Sequence, residues 1–157
     1  MKEVFKFIID ARKAFIKDIE SLSLEELNEI PAGFNNNIIW NFGHIVVTTP
    51  VLCYVRTGIL TDTSTVKYIS AYAKGTKPTY FVTQEEVDDL KALAISTIET
   101  LEKDYNEGKL NNIVPFETST YGALLESIED VIITTAGHDN THLGYVTAQK
   151  RIINNNK

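Results

Sequence analysis

Hydrophobic residues recur at spacings of three and four along four stretches of this chain, the signature of amphipathic helices. In the first stretch Phe5, Ile8, Ile9, Phe15, Ile16, Ile19 and Leu22 share a side, and Lys and Glu fill the other. Ser23 with Glu26 then forms a capping-box pattern that predicts a short helical turn through Leu27, ended by Pro31 and Gly33. The second helix is predicted to begin after Asn35, Asn36 and Asn37, since Asn is a favoured N-cap. Trp40, His44, Val47, Val51 and Val55 follow on one side, with Ile38, Ile45, Leu52 and Cys53 on the others. A helix apolar nearly all round is buried centrally or covered by a second subunit. Pro50 lacks an N–H and is expected to kink it.

The third helix opens at a second capping box, Thr83 to Glu86, carries Val87, Leu90, Ala94, Ile98, Leu101 and Tyr105, and stops near Gly108. The fourth is predicted from about Tyr121 to about Arg151. Its stripe is Leu124, Leu125, Ile128, Val131, Ile132 and Thr135, continuing as His138, His142 and Tyr145. No segment reads as a long alternating strand, and neither a repeat nor a linker divides the sequence. The fold class expected is all-α, a four-helix bundle forming a single domain over residues 1–157.

One connection is unusual. Residues 58–83 make a 26-residue link between the second and third helices, whereas bundle connections usually run to about 2–8 residues. A link of that length suits a crossover between helices that run parallel, so the bundle is not expected to be simply up-down-up-down.

Composition narrows the function classes. The chain has 157 residues, 43% hydrophobic and 23% charged, which is ordinary for a globular domain. No apolar run reaches the roughly 20 residues of a membrane span, and the first helix is interrupted by Asp10 and Arg12, so no signal peptide is expected. A single cysteine, Cys53, excludes an intramolecular disulfide framework and suits a reducing cytoplasm. Net charge is −6 with Lys and Arg scattered, so neither nucleic acid nor an anionic membrane is an expected partner.

The candidate chemistry lies in the three histidines. His138 and His142 are four residues apart, one above the other on a helix face, the spacing that lets two imidazoles share a metal. The sequence reads HDNTH, with Asp139 where a helical zinc protease carries Glu, so protease chemistry is not implied. His44 lies on the Trp40–Val47–Val51 face of the second helix. Counting about 1.5 Å per residue puts all three at one level if the second and fourth helices are antiparallel. A metal would satisfy three imidazoles that are otherwise costly to bury, and three neutral histidines leave a position open for water or a thiol. Cys53, nine residues past His44, points about 180° away and reads as a small core residue. Thr48 and Tyr145 lie within a turn of His44 and His142, either as ligand contacts or as core fillers. Gly43, Gly137 and Gly144 beside the histidines suggest close approach of a helix or a ligand.

The stretches LNEIPAGFNNNIIWNFGHIVVT, YAKGTKP and GHDNTHLGYV resemble the DinB-like family, also called YfiT-like putative metal-dependent hydrolases, over nearly the whole chain. The resemblance implies a four-helix bundle with up-down-down-up connectivity and a metal triad at His44, His138 and His142. It also implies zinc or nickel as the divalent ion, a homodimer, and a small-molecule substrate. The activity implied is transfer of a low-molecular-weight thiol, or hydrolysis. The alternative from another class is a non-catalytic metal-binding dimer with a role in stress response.

Overall fold

The computed structural model describes residues 1–120 and 122–155. It is mostly helical, as expected, with α1 (Lys2–Glu20), α2 (Leu24–Asn28), α3 (Ile38–Pro50), α4 (Ile69–Tyr72), α5 (Gln84–Asn106) and α6 (Ile128–Asn155). A two-residue antiparallel pair, β1 (Phe116–Glu117) and β2 (Leu124–Leu125), completes it.

Local chemistry sets the helix starts. Ser23 makes both halves of its capping box with Glu26, and the Asn37 side chain accepts from Trp40 N. At α5 only half of the expected box forms. Thr83 accepts from Glu86 N, but the Glu86 carboxylate accepts instead from the hydroxyls of Tyr72 and Tyr80. Two tyrosine donors arriving from the preceding link outcompete the N-cap amide.

The fourth predicted helix begins later than its stripe suggested. Tyr121 lies outside the described residues, and Leu124 and Leu125 pair as β2 with Glu117 and Phe116 rather than starting a helix. Leu125 is buried while Leu124 is 58% exposed, the alternation of a strand. Ser127 and Asp130 then cap α6 reciprocally: Asp130 N donates to Ser127 Oγ, and Asp130 Oδ2 accepts from Ser127 N. That capping pair, not the apolar stripe, fixes the start.

Pro50 closes α3 but does not break the rod. The chain continues as a π-helical turn over Val51–Val55, with Arg56 N reaching back to Val51 O at 2.8 Å. The long link also differs from a plain loop. It carries a short 3-10 turn (Thr63–Thr65) and then α4, which packs on α3.

Each long helix packs chiefly against two others: α1 on α5 and α6, and α3 on the same pair. Contacts at both ends give the directions. Phe5 meets Tyr105 while Glu20 meets Lys91, so α1 and α5 run oppositely. Arg12 meets Asp139 and Asp18 meets Lys150, so α1 and α6 run together. Asn41 meets Gln149 while Cys53 meets Thr135, so α3 and α6 are antiparallel.

The apolar second helix is accounted for by this packing. Ile38–Val55 has the length and apolarity to cross a membrane, the one such helix among the described residues, yet 67% of it is buried inside the protein. Its neighbours in the chain, rather than a second subunit, cover most of α3. One core cluster gathers Phe15, Ile39, Phe42, Leu90 and Val146, and a second gathers Phe5, Ile98, Leu101, Val131 and Ile132 with Cys53.

Candidate metal centre

His44 from α3 and His138 and His142 from α6 converge: one ring nitrogen from each lies within 4.8 Å of the other two. Their ring centroids are 4.6 to 5.1 Å apart. The i, i+4 spacing stacks the two α6 imidazoles, and the antiparallel crossing brings His44 level with them.

Two of the imidazoles are oriented by their far nitrogens. His44 Nδ1 donates to the Tyr72 backbone carbonyl at 2.6 Å, which leaves its Nε2 unprotonated. Gly43 permits that contact, because the Tyr72 ring lies where a Cβ on residue 43 would stand, 2.5 Å from Cδ1. The Trp40 indole stacks on the other side of His44, with centroids 4.8 Å apart and planes within 10°. Trp40 Nε1 is itself tied to Ala71 O and Thr76 Oγ1 on the link. The long link thus serves the site, holding both the ring and its stacking partner.

His142 Nδ1 donates to Asn41 Oδ1 at 2.8 Å. Asn41 is held in that orientation by its own amide hydrogens, which go to Asn37 O, Asn36 Oδ1 and Gln149 Oε1. His138 differs. Its Nδ1 is buried without a hydrogen-bond partner, 4.0 Å from Asp139 Oδ1, which has none either.

Protonation favours lone pairs over charge. Burial, with the neighbouring His138 and His44 adding to it, lowers the His142 pKa to about 3. The His44 pKa is also lowered, chiefly by burial and against the pull of the Tyr72 carbonyl. Three imidazoles packed ring to ring, two held with Nδ1 protonated and one with an unpartnered buried nitrogen, make a donor set that fits a divalent cation.

Beneath the cluster lies a second polar feature that the sequence reading passed over. Arg12 is fully buried, and its guanidinium donates to Asp139 Oδ2 (2.8 Å), Ala94 O, Thr97 Oγ1, Ile45 O and Thr49 Oγ1. One side chain therefore ties α1 to α3, α5 and α6 beside the histidines. Cys53 stays apart, as its helical phase predicted. Burial pushes its thiol up to about 12, and its Sγ contacts Thr135.

A cavity of about 140 Å³ adjoins the cluster, lined by His44, Thr48 and His138 together with Val47, Val51 and Phe116. Thr48 faces it, 3.4 Å from His44 Nε2, whereas Tyr145 is 49% exposed beside His142 on a separate open groove.

In comparison with protein families, the model of the DinB superfamily matches residues 8–146. The chain belongs to the DinB superfamily. The match runs from α1 into the last third of α6 and takes in all three histidines of the cluster. No curated protein matches the chain.

Proposed function

We propose that this DinB-superfamily chain binds one divalent metal ion, zinc or nickel, through His44, His138 and His142, and that it is a metal-dependent enzyme acting on a small molecule. The observation that carries the reading is the convergence of three imidazole nitrogens within 4.8 Å. The hydrogen bonds that His44 and His142 donate to Tyr72 O and Asn41 Oδ1 support it, because they present Nε2 of both rings rather than leaving the tautomers to chance.

The fold proposed around the site is a four-helix bundle, α1, α3, α5 and α6, with up-down-down-up connectivity. The paired contacts at both ends of the helices support that order, and the long link supplies the crossover between α3 and α5.

A divalent ion held there would lower the pKa of a water or thiol in its open coordination position, which suits transfer of a low-molecular-weight thiol or hydrolysis. The residues of the chain do the rest. Tyr72 O and Asn41 fix the imidazoles, Trp40 shields His44 from solvent, and the adjoining cavity receives the substrate. That cavity favours the enzyme over a non-catalytic metal-binding stress-response protein, for which a closed site would serve. A cytoplasmic location is supported by the lone buried Cys53. A homodimer is the assembly proposed by likeness to the family, with exposed Phe7 on α1 and Ile133 on α6 as apolar side chains it would cover.

The test is elemental analysis of the purified chain, followed by a thiol-transferase assay before and after chelation. One ion per chain is expected, with loss of binding in His142→Ala. Full metal stoichiometry and unaltered coordination in that variant would overturn the site. Complete unfolding on chelation would favour the structural alternative.

A further inference from the structure

The cavity beside His44 and His138 has an uneven charge. Arg56 and Lys74 lie on its wall, both exposed, while His44 at the same cavity is buried. Among the described residues no carboxylate lines it, in a chain with 21 acidic and 15 basic residues. Among the described residues neither Arg56 nor Lys74 forms an ion pair, although Lys6, Lys67, Lys91, Lys109 and Lys150 all do.

Both cations are nevertheless held in place. The Arg56 guanidinium lies over the Phe116 ring, 4.8 Å from its centroid, and its Nη2 donates to the Glu117 carbonyl. Lys74 Nζ donates to Ser119 Oγ on the turn between β1 and β2. An arginine has five N–H donors and a lysine three, so each keeps donors to spare. The π-helical turn contributes to this placement. On a regular α-helix Arg56 would sit about 80° around from Thr48. The wider turn over Val51–Val55 lags and draws Arg56 back toward the cavity that Thr48 lines.

We infer that this cavity binds a small organic anion, with its carboxylate or phosphate group held by Lys74 and Arg56 and its carbon skeleton lying against Val47, Val51 and Phe116 toward the histidines. The inference rests on the proposed reaction site for its purpose, but the anion contact stands on the two cations alone. About 140 Å³ suits a short-chain molecule rather than a peptide or a polymer. Two positive groups facing a cavity with apolar walls concentrate anions there even though the chain as a whole is acidic.

The test is an NMR titration of the full chain, at measured metal content, with butanoate, n-butylphosphonate and neutral butanamide. Saturable shifts are expected at the amides of Val47, Lys74 and Phe116, with the better anion binding about fivefold or more tightly than butanamide. Preference for the phosphonate would assign the ligand to the phosphate esters, and preference for butanoate to the carboxylic acids. The Lys74→Gln/Arg56→Gln double variant should bind all three alike while keeping its metal content and melting temperature. Equal binding of butanamide and both anions to the wild-type chain would overturn the inference. So would an anion preference that survives in the double variant, since the anion would then be a ligand of the metal. A chain that holds no metal but keeps the anion preference would overturn the histidine reading and leave this one standing.

Discussion

Replacing Gly43 by alanine should destabilise the protein, although the substitution removes a glycine from the middle of a helix. On propensity alone it would stabilise α3 by about 1 kcal/mol. The Tyr72 ring reverses the sign. A Cβ at position 43 would stand 2.5 Å from Cδ1 and 2.7 Å from Cγ and Cε1, all atoms of one rigid ring. Tyr72 cannot easily withdraw, being 2% exposed with its hydroxyl bound to Glu86. Overpacking of this kind costs about 1–3 kcal/mol. Any shift of Tyr72 also weakens the bond from His44 Nδ1 to its carbonyl, roughly another 1 kcal/mol.

The net loss expected is therefore about 1–3 kcal/mol, read from urea unfolding of the chelated protein at unchanged m-value. Metal affinity, measured by competition with a chromophoric chelator, should fall about 10–100-fold, because His44 loses the carbonyl that sets its tautomer. Gly144→Ala is the control. Nothing lies within 4 Å of its Cβ position, so only the propensity gain of about 1 kcal/mol applies there. If Gly43→Ala were as stable as the parent and held metal as tightly, the packing of α4 on α3 would not be what orients His44.

Three further outcomes are expected. Arg12→Met should cost about 3–5 kcal/mol by leaving Asp139 charged and buried, and Asp139→Leu added to it should recover part of that loss in a double-mutant cycle from urea melts. Asn41→Leu removes the acceptor of His142 Nδ1 and should weaken metal binding about 10–100-fold in the same chelator competition. Cys53, buried with its thiol pushed up to about 12, should react with a disulfide reagent only at the rate of global unfolding, so labelling of the native chain within minutes would contradict its placement.

The histidine cluster was legible in the sequence because helical phase determines which face a residue shares. His138 and His142 follow Thr135 on the inward stripe of α6, His44 follows Trp40 on α3, and the same phase sent Cys53 elsewhere. What phase does not give is a partner drawn from outside the periodic segments. The acceptor for His44 is a backbone carbonyl at Tyr72, inside a link with no period, and a carbonyl leaves no mark on residue identity. The start of α6 was missed for a related reason. Leu124 and Leu125 continue the apolar stripe by composition, but the Ser127–Asp130 cap and pairing with β1 claim that stretch of backbone first.

Arg12 is a different kind of omission, since its signal was present. It stands between Ile8 and Phe15 on the stripe Phe5–Ile8–Phe15–Ile19, where every other member is buried. A cation on an inward stripe requires an anion on another one, because burying it alone is prohibitive. Asp139 meets that requirement, falling one helical turn after Thr135 on α6, and it is the only carboxylate among the buried charged residues described. Reading the two phases together would have paired residues 127 positions apart and set α1 against α6. The pairing also sets the level of His138, the residue before Asp139, against α1. The same side chain then carries the site's rigidity. Because Arg12 bonds to α3, α5 and α6 at once, the backbone that bears His44 and the backbone that bears His138 and His142 share one buried anchor. Three imidazoles held at metal spacing follow from that anchor as much as from their own positions.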